Sequence, residues 1–368
     1  MRVAAVVPEA FGGRGGIALY DTDLLTAICE LEICDGVTAL PRVIRDRFSD
    51  ALPDLLEFRT DAARGAMPFV AQWLRLLGKA RQFDLVLCGH INLLPFAEAL
   101  RRRAGVPLVL VIYGIEAWQK PDRRLNERLA KCVDAVISIS DLTRQRYAAW
   151  SGVDESSIFL LPNALHPEFY GAGGKPEYLE DRYGLRKRKV IMTLGRLSSA
   201  ERYKGFDEIL EILPALLSDD PDIRYLVVGD GDDRPRLEAR AKALGVAPRV
   251  VFAGWIDEAE KADHYRLADA FVMAGRGEGF GFVFLEAMAC GIPVVASCVD
   301  GSREAVLNGK LGRLADPDSR EELRAAIRQA LKSPREVPQG LEHFHYPRFR
   351  ERLGDILDAV NTRSARVA

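Results

Sequence analysis

Short apolar runs that alternate with amphipathic stretches constrain this 368-residue chain more than any other feature. Arg2–Pro8 (RVAAVVP), Asp84–Cys88, Leu108–Ile112, Ala135–Ile139 and Ile158–Leu161 read as strands buried on both faces. Helical patterns near 17–29, 69–82, 93–104, 122–132 and 141–150 separate them. Such alternation specifies an α/β fold, a parallel sheet covered by helices on both sides. The series restarts at Val190–Leu194 and continues through Tyr225–Val228, Val250–Phe252, Ala270–Met273 and Pro293–Ser297. Between the two series the composition shifts to Gly, Pro, Tyr and charge, which marks a linker with a small helix. The chain is long enough for two cores, so the expected division is 1–165, a linker over 166–189, and 190–345. A last helix is expected near 346–360, and Asn361–Ala368 is expected to lack order.

The stretch Gly275–Ser297 (GRGEGFGFVFLEAMACGIPVVAS) carries the chemistry. A loop this rich in glycine costs backbone entropy, so a function or a close approach must justify it. Phe282–Cys290 follows as a short helix, and a helix start reached through such a loop offers unpaired N–H groups and a positive dipole end to a phosphate. Glu278 and Glu286 bracket that start with seven residues between them. A carboxylate accepts hydrogen bonds from two neighbouring hydroxyls at once, so this pair around a phosphate site suits a sugar and a ribose joined by a diphosphate. A second glycine loop, Gly12, Gly13, Gly15 and Gly16, follows the first strand without G-x-G-x-x-G spacing, which argues against a dinucleotide-dependent dehydrogenase.

EGFGFVFLEAMACGIPVV resembles the E-x7-E signature of family-4 retaining glycosyltransferases with the GT-B fold, two Rossmann-like domains facing across a cleft. Gly195-Arg196 with Lys204-Gly205 is similar to that family's G-R…K-G pair, and Pro162-Asn163-Ala164-Leu165 to its P-N-G-V segment. The resemblance is dense from Val190 to Asp316 and sparser before it. It implies that Arg196 and Lys204 neutralise the leaving diphosphate, that Glu278 positions the donor sugar and that Glu286 binds the ribose. Gly195 and the Phe280, Gly281, Phe282, Val283 and Phe284 backbone would complete the donor site, with Gly12, Gly13, Gly15 and Gly16 closing over the phosphates. Gly254-Trp255-Ile256 would lie near the base, and the last helix would return to the first domain. Tyr113, in Tyr113-Gly114-Ile115-Glu116-Ala117-Trp118, stands where the family commonly has histidine. Its phenol is a poor base near neutral pH, with an ordinary pKa of ~10. Tyr113, His90 and Glu116 are the expected acceptor side, at strand ends where open sheets bind ligands.

The activity implied is transfer of a hexose from a nucleotide diphosphate sugar to a saccharide or lipid-linked saccharide, with retention and without a metal or other cofactor. Asp230-Gly231-Asp232 is read as a turn rather than a metal-binding pair. A non-catalytic nucleotide-sugar-binding subunit and a nucleotide-sugar epimerase are the alternatives. A net charge of −2 gives no basic field for nucleic acid. The six cysteines show no C-x-x-C and read as small core residues of a reducing compartment. No segment reaches ~20 apolar residues, so a cytoplasmic protein is expected. Gln72–Arg81 mixes Trp and Leu with cations as interfacial helices do, which leaves open a peripheral contact at the inner face of a membrane.

Overall fold

The computed structural model describes residues 1–46 and 51–367. They fall into two compact units, Met1–Ala164 with the C-terminal residues from Tyr346, and Leu165–His345.

The first unit holds seven parallel strands: β1 Arg2–Val7, β2 Gly36–Pro41, β3 Leu56–Phe58, β4 Leu85–Cys88, β5 Leu108–Ile112, β6 Ala135–Ser138 and β7 Ile158–Leu160, in the order β3-β2-β1-β4-β5-β6-β7. The second holds six: β8 Lys189–Leu194, β9 Ile223–Val228, β10 Val250–Gly254, β11 Ala270–Met273, β12 Val294–Ser297 and β13 Arg313–Ala315, in the order β10-β9-β8-β11-β12-β13. Both sheets reverse direction beside their first strand, between β1 and β4 and between β8 and β11. Such a switch point opens a crevice beyond the carboxyl ends of the strands. The two sheets are Rossmann-like, the architecture expected of the apolar alternation. Sequence periodicity missed β2, β3 and β13. Two of these have three residues, and β2 ends at Pro41, so none offers a long apolar run.

Helices cover the sheets because their apolar residues recur on one face. Phe206–Asp219 buries Phe206, Ile209, Leu210, Leu213 and Leu216 against β8 and β9 residues such as Ile191 and Tyr225. The small helix expected in the segment 166–189 is Glu177–Tyr183, and the segment belongs to the second unit rather than forming a separate linker: Arg266 Nε donates to the Gly171 carbonyl (2.8 Å), and Lys175 pairs with Asp269.

The last helix, Tyr346–Val367, belongs to the first unit and runs past the expected end at 360. Its buried face is Phe349, Leu353, Ile356, Leu357 and Val360. Phe349 meets the ring of Tyr20 edge-on at 5.6 Å, and Arg350 pairs with Glu30 at 2.9 Å. The expected disorder over 361–368 is corrected as far as 367. No Gly or Pro breaks this stretch, and Arg363 holds the Ser156 carbonyl at 2.8 Å while lying over Phe159. Ala368 lies outside the described residues. Cys29, Cys34, Cys88 and Cys290 are buried, but Cys132 is exposed, so the core reading does not extend to it.

Candidate functional site

In the second unit the switch point brings together the loops after β8 and β11, the two that carry the residues singled out from sequence. A Cβ on Gly275 would lie 2.4 Å from the Tyr203 carbonyl oxygen, and one on Gly301 would lie 2.0 Å from that of Gly279. These glycines are required for close approach of backbone to backbone. They bring the loop after β11 against the Tyr203–Lys204 segment on one side and the Asp300–Ser302 turn on the other.

Arg196 and Lys204 meet at a third residue. Glu201 takes the Arg196 guanidinium at 3.0 Å and the Lys204 ammonium at 3.3 Å, one on each carboxylate oxygen. Arg196 is mostly exposed, whereas Lys204 and Glu201 are largely covered. Nearby, the Glu278 carboxyl is raised from its ordinary value by burial, with Lys204 opposing the shift and Glu201 adding to it. The Glu278 backbone N–H donates to Asp300 Oδ2 at 2.9 Å, and the Glu278 carbonyl accepts from Gly301 N at 2.8 Å. Asp300 is fully buried, and burial pushes its acid up to about 6, against hydrogen bonds from Ser302 and Glu278. Glu201 and Asp300 were not singled out from sequence. A glutamate beside Lys204 has no signature of its own until the chain kinks at Glu201.

Helix Phe282–Ala289 starts at Gly281, where no side chain caps it, so the first-turn N–H groups of Phe282 and Val283 have no partner four residues back. The Phe280 and Phe284 rings face the interior, packed on Phe344 and Phe271. The rings are thus turned away from any ligand at the helix start, and the Phe284 N–H donates to the Gly281 carbonyl at 3.3 Å. Glu286 is 3% exposed, and both its oxygens are engaged: Oε1 by Lys261 Nζ (2.6 Å), Oε2 by Tyr265 Oη (2.6 Å). Burial and the neighbouring Glu286 carboxylate raise the Tyr170 phenol well above its ordinary value. The Lys261–Tyr265 spacing on Glu258–Leu267, one helical turn, was the available signal for these partners.

Asp230 accepts from Gly231 N at 2.9 Å within the turn, whereas Asp232 accepts from Ser199 N at 3.0 Å in the segment after β8. Among the described residues no group of His, Cys, Asp and Glu is arranged to hold a metal ion. Trp255 is exposed.

In the first unit, Gly12, Gly13, Gly15 and Gly16 lead from β1 into helix Gly16–Glu30, and the Gly12 carbonyl accepts from Arg45 N and Asp46 N at 2.9 Å. Beyond β4 and β5 a cavity of ≈ 500 Å³ is lined by His90, Asn92, Glu116, Asp122 and Arg123. His90 Nδ1 accepts from Asn92 N at 3.0 Å, so the neutral ring carries its hydrogen on Nε2. Burial lowers the His90 pKa, with Glu116 opposing. Glu116 Oε1 takes the Tyr113 and Gly114 N–H groups. The structure thus brings His90 and Glu116 to one cavity. Tyr113 is 6% exposed, and its hydroxyl donates to Asp21 on Gly16–Glu30. Asp21 was not singled out from sequence.

Two Rossmann-like units, with cations, carboxylates and an uncapped helix start at a strand-order switch, define a GT-B glycosyltransferase that uses a nucleotide sugar. The chain belongs to family 4 of these enzymes: the glycosyl transferases group 1 family matches residues 179–343, and the glycosyl transferase 4-like domain matches 33–164. It is 33% identical, over 73% of its own length and 72% of the relative's, to a GDP-mannose-dependent alpha-(1-6)-phosphatidylinositol monomannoside mannosyltransferase of Mycolicibacterium smegmatis. Mannosylfructose-phosphate synthase of Agrobacterium fabrum is 32% identical over 50% of this chain and 39% of that protein. Among solved structures, Anabaena HepE in complex with UDP superposes with a TM-score of 0.76 at 20% identity, covering 98% of this chain and 100% of that one. Among the described residues no helix is long and apolar enough to cross a membrane.

Proposed function

We propose that this glycosyltransferase transfers a hexose from a nucleotide diphosphate sugar to a saccharide or lipid-linked saccharide, with retention and without a metal ion. One observation carries the reading: Arg196 and Lys204 converge on a single carboxylate at the strand ends where an open sheet binds its ligand. Cleavage of the anomeric C–O bond leaves charge on the departing phosphate, and two cations already positioned around an anion stabilise it. Phe282 and Val283 N–H groups and Gly195 complete the phosphate site, Glu278 orients the sugar, and Glu286 accepts from the ribose with its remaining lone pairs. His90, with Nε2–H as donor, and Glu116 receive the acceptor in the ≈ 500 Å³ cavity. Front-face attack with the leaving phosphate as base needs no protein nucleophile, so Tyr113 is not required as one.

The relatives favour a mannosyl donor and a lipid-linked or saccharide acceptor. Met67 and Leu74, exposed on helix Ala66–Gly78 beside Arg75 and Lys79, would supply a peripheral membrane contact. Trp73 takes no part in it, since its indole donates to the Phe96 carbonyl at 3.0 Å and packs on that ring. A donor-binding subunit without turnover is the second reading, favoured by a Tyr113 hydroxyl that is already engaged.

Calorimetry and nucleotide release with UDP-, GDP- and ADP-sugars, followed by NMR of the product anomer, test the proposal. Saturable binding of one donor with slow release and a retained anomer support it. An inverted anomer refutes retention, binding without release under added lipid extract favours the second reading, and binding of no donor refutes both.

A further inference from the structure

The amino ends of the second sheet, opposite the strand ends that carry Arg196, gather cations without matching carboxylates. Arg224 is the second residue of β9 and is only 9% exposed. Its Nη1 donates to the Pro221 and Ile223 carbonyls at 3.0 and 2.7 Å, and no carboxylate pairs with it among the described residues. Its Nε and Nη2 make no hydrogen bond among the described residues, and neither is sealed from water. The strand register sets its neighbours. Val250 lies level with Tyr225, so Arg249, one residue earlier, stands beside Arg224. Lys189 lies level with Ile223, so Arg188 stands beside Asp222, and the two pair. Alternate residues of a strand share a face and neighbouring strands run about 4.8 Å apart, so three arginines crowd one edge of that face around Asp222. Burial, then the charges of Arg249 and Arg188, lower the Arg224 pKa, with Asp222 opposing. Other carboxylates nearby are committed, Asp220 to Lys189 at 2.7 Å and Asp269 to Lys175 at 2.5 Å. Lys187, held at a φ of 58° in the turn before β8, adds a further cation, and neither it nor Arg249 makes an ion pair among the described residues. Like charges side by side repel, and a buried cation without an acid costs more. Fold stability therefore does not explain the cluster, whereas a bound anion does.

We infer that Arg224, Arg249, Arg188 and Lys187 form a second anion site, which takes the phosphate group of a soluble phosphate ester and is separate from the donor site. β8 has six residues, so the cluster lies about 20 Å from Arg196, and one diphosphate cannot reach both. A guanidinium fork with free N–H donors matches phosphate oxygens in pairs, which favours phosphate over chloride. Among the described residues no large apolar side chain is exposed over 186–189, 220–224 or 246–250, so a solute fits this surface and a lipid headgroup does not.

Pyrophosphate is the probe, titrated by calorimetry into the full chain in phosphate-free buffer at constant ionic strength, for wild type and for Lys204→Ala, which removes a cation of the donor site. Binding should persist in Lys204→Ala. Adding Arg249→Gln or Arg224→Lys to that background should weaken it at least about tenfold, the scale of one charge-assisted hydrogen bond. Arg224→Lys keeps the charge and loses the fork, so an equal affinity there would refute recognition by paired N–H donors. Without pyrophosphate, the chain with Arg249→Gln should melt no lower than its Lys204→Ala parent, because a like charge is gone. It should also lose most of the rise of a few degrees that pyrophosphate gives that parent. No binding in Lys204→Ala, or binding that Arg249→Gln leaves unchanged, would overturn the site. Displacement of pyrophosphate by phosphatidylcholine vesicles carrying phosphatidylinositol, but not by phosphatidylcholine alone, would overturn the soluble ester in favour of a lipid headgroup. Donor binding and turnover by the wild type are read separately, so failure of either site leaves the other standing.

Discussion

Replacing Glu286 by alanine should cost stability before it costs chemistry. Glu286 is 3% exposed and stands against Lys261 Nζ and Tyr265 Oη, each at 2.6 Å. Glu286→Ala strands a lysine whose side chain is only 16% exposed, and leaves the fully buried Tyr265 hydroxyl without its acceptor. Removing one partner of a buried pair costs about 3–5 kcal/mol, and an orphaned buried donor about 1–3 kcal/mol. Lys261 keeps Glu258 at 3.0 Å, but that carboxylate is 81% exposed and compensates little. The two losses share one cavity and do not add fully, which sets the expectation at about 4 kcal/mol. Urea unfolding of the whole chain, followed by circular dichroism, reads it as a lower midpoint at unchanged slope. Glu286→Ala with Lys261→Met should recover more than half of the loss, because no charge is then left buried. An unchanged midpoint in Glu286→Ala, or no recovery in the double variant, would refute the reasoning. If it holds, lost donor binding in Glu286→Ala cannot be assigned to the ribose, and Glu286→Gln is the variant that isolates that contact.

Glu201→Gln removes the anion already lying between Arg196 and Lys204, and should tighten GDP and UDP about two- to fivefold by calorimetry; weaker binding would mean that Glu201 aims the cations instead. Gly301→Ala places a methyl where the Gly279 carbonyl lies 2.0 Å away, so the loop must move. Donor binding should fall at least about tenfold while the melting temperature drops by a few degrees, and retained affinity would show that the loop's position is immaterial. Burial lowers the pKa of His264, whose Nδ1–H donates to the Glu260 carbonyl (2.8 Å) while Nε2 accepts from Tyr183 (3.0 Å), the arrangement of a neutral ring. A histidine depressed in the folded state contributes fully above its unfolded pKa of ~6.5, and stability is lost as pH falls below that value. The unfolding free energy should therefore decline by up to about 1.4 kcal/mol per pH unit on acidification, and His264→Gln should flatten part of that slope. An identical slope in the variant would remove His264 as the cause.

The sequence by itself determined the class of fold and singled out residues that lie together at one sheet edge. Apolar runs such as Leu108–Ile112 and Ala270–Met273 cannot be buried on both faces except in a helix-covered parallel sheet. The residues that bracket the helix from Phe282 are neighbours in the chain, so Glu278, Gly281 and Glu286 were legible together. Arg196 and Lys204 were legible because a short loop carries both. Tertiary structure decided everything that depends on contacts distant in sequence. Tyr113 meets Asp21 across 92 positions, and Glu286 meets Lys261 across 25, through crossovers that local periodicity does not encode. The glycines of the loop after β11 looked like provision for a phosphate, and the structure shows that Gly275 and Gly301 serve first to let three loops touch backbone to backbone. Strands as short as Leu56–Phe58 and Arg313–Ala315 have too few residues to declare a period, and pair because longer neighbours present an open edge. The segment 166–189 read as a linker by composition, yet Arg266 and Asp269, some hundred residues on, hold it to the second unit. Burial of a charge or a carbonyl rewards whichever partner the fold delivers, and only the folded chain says which one that is.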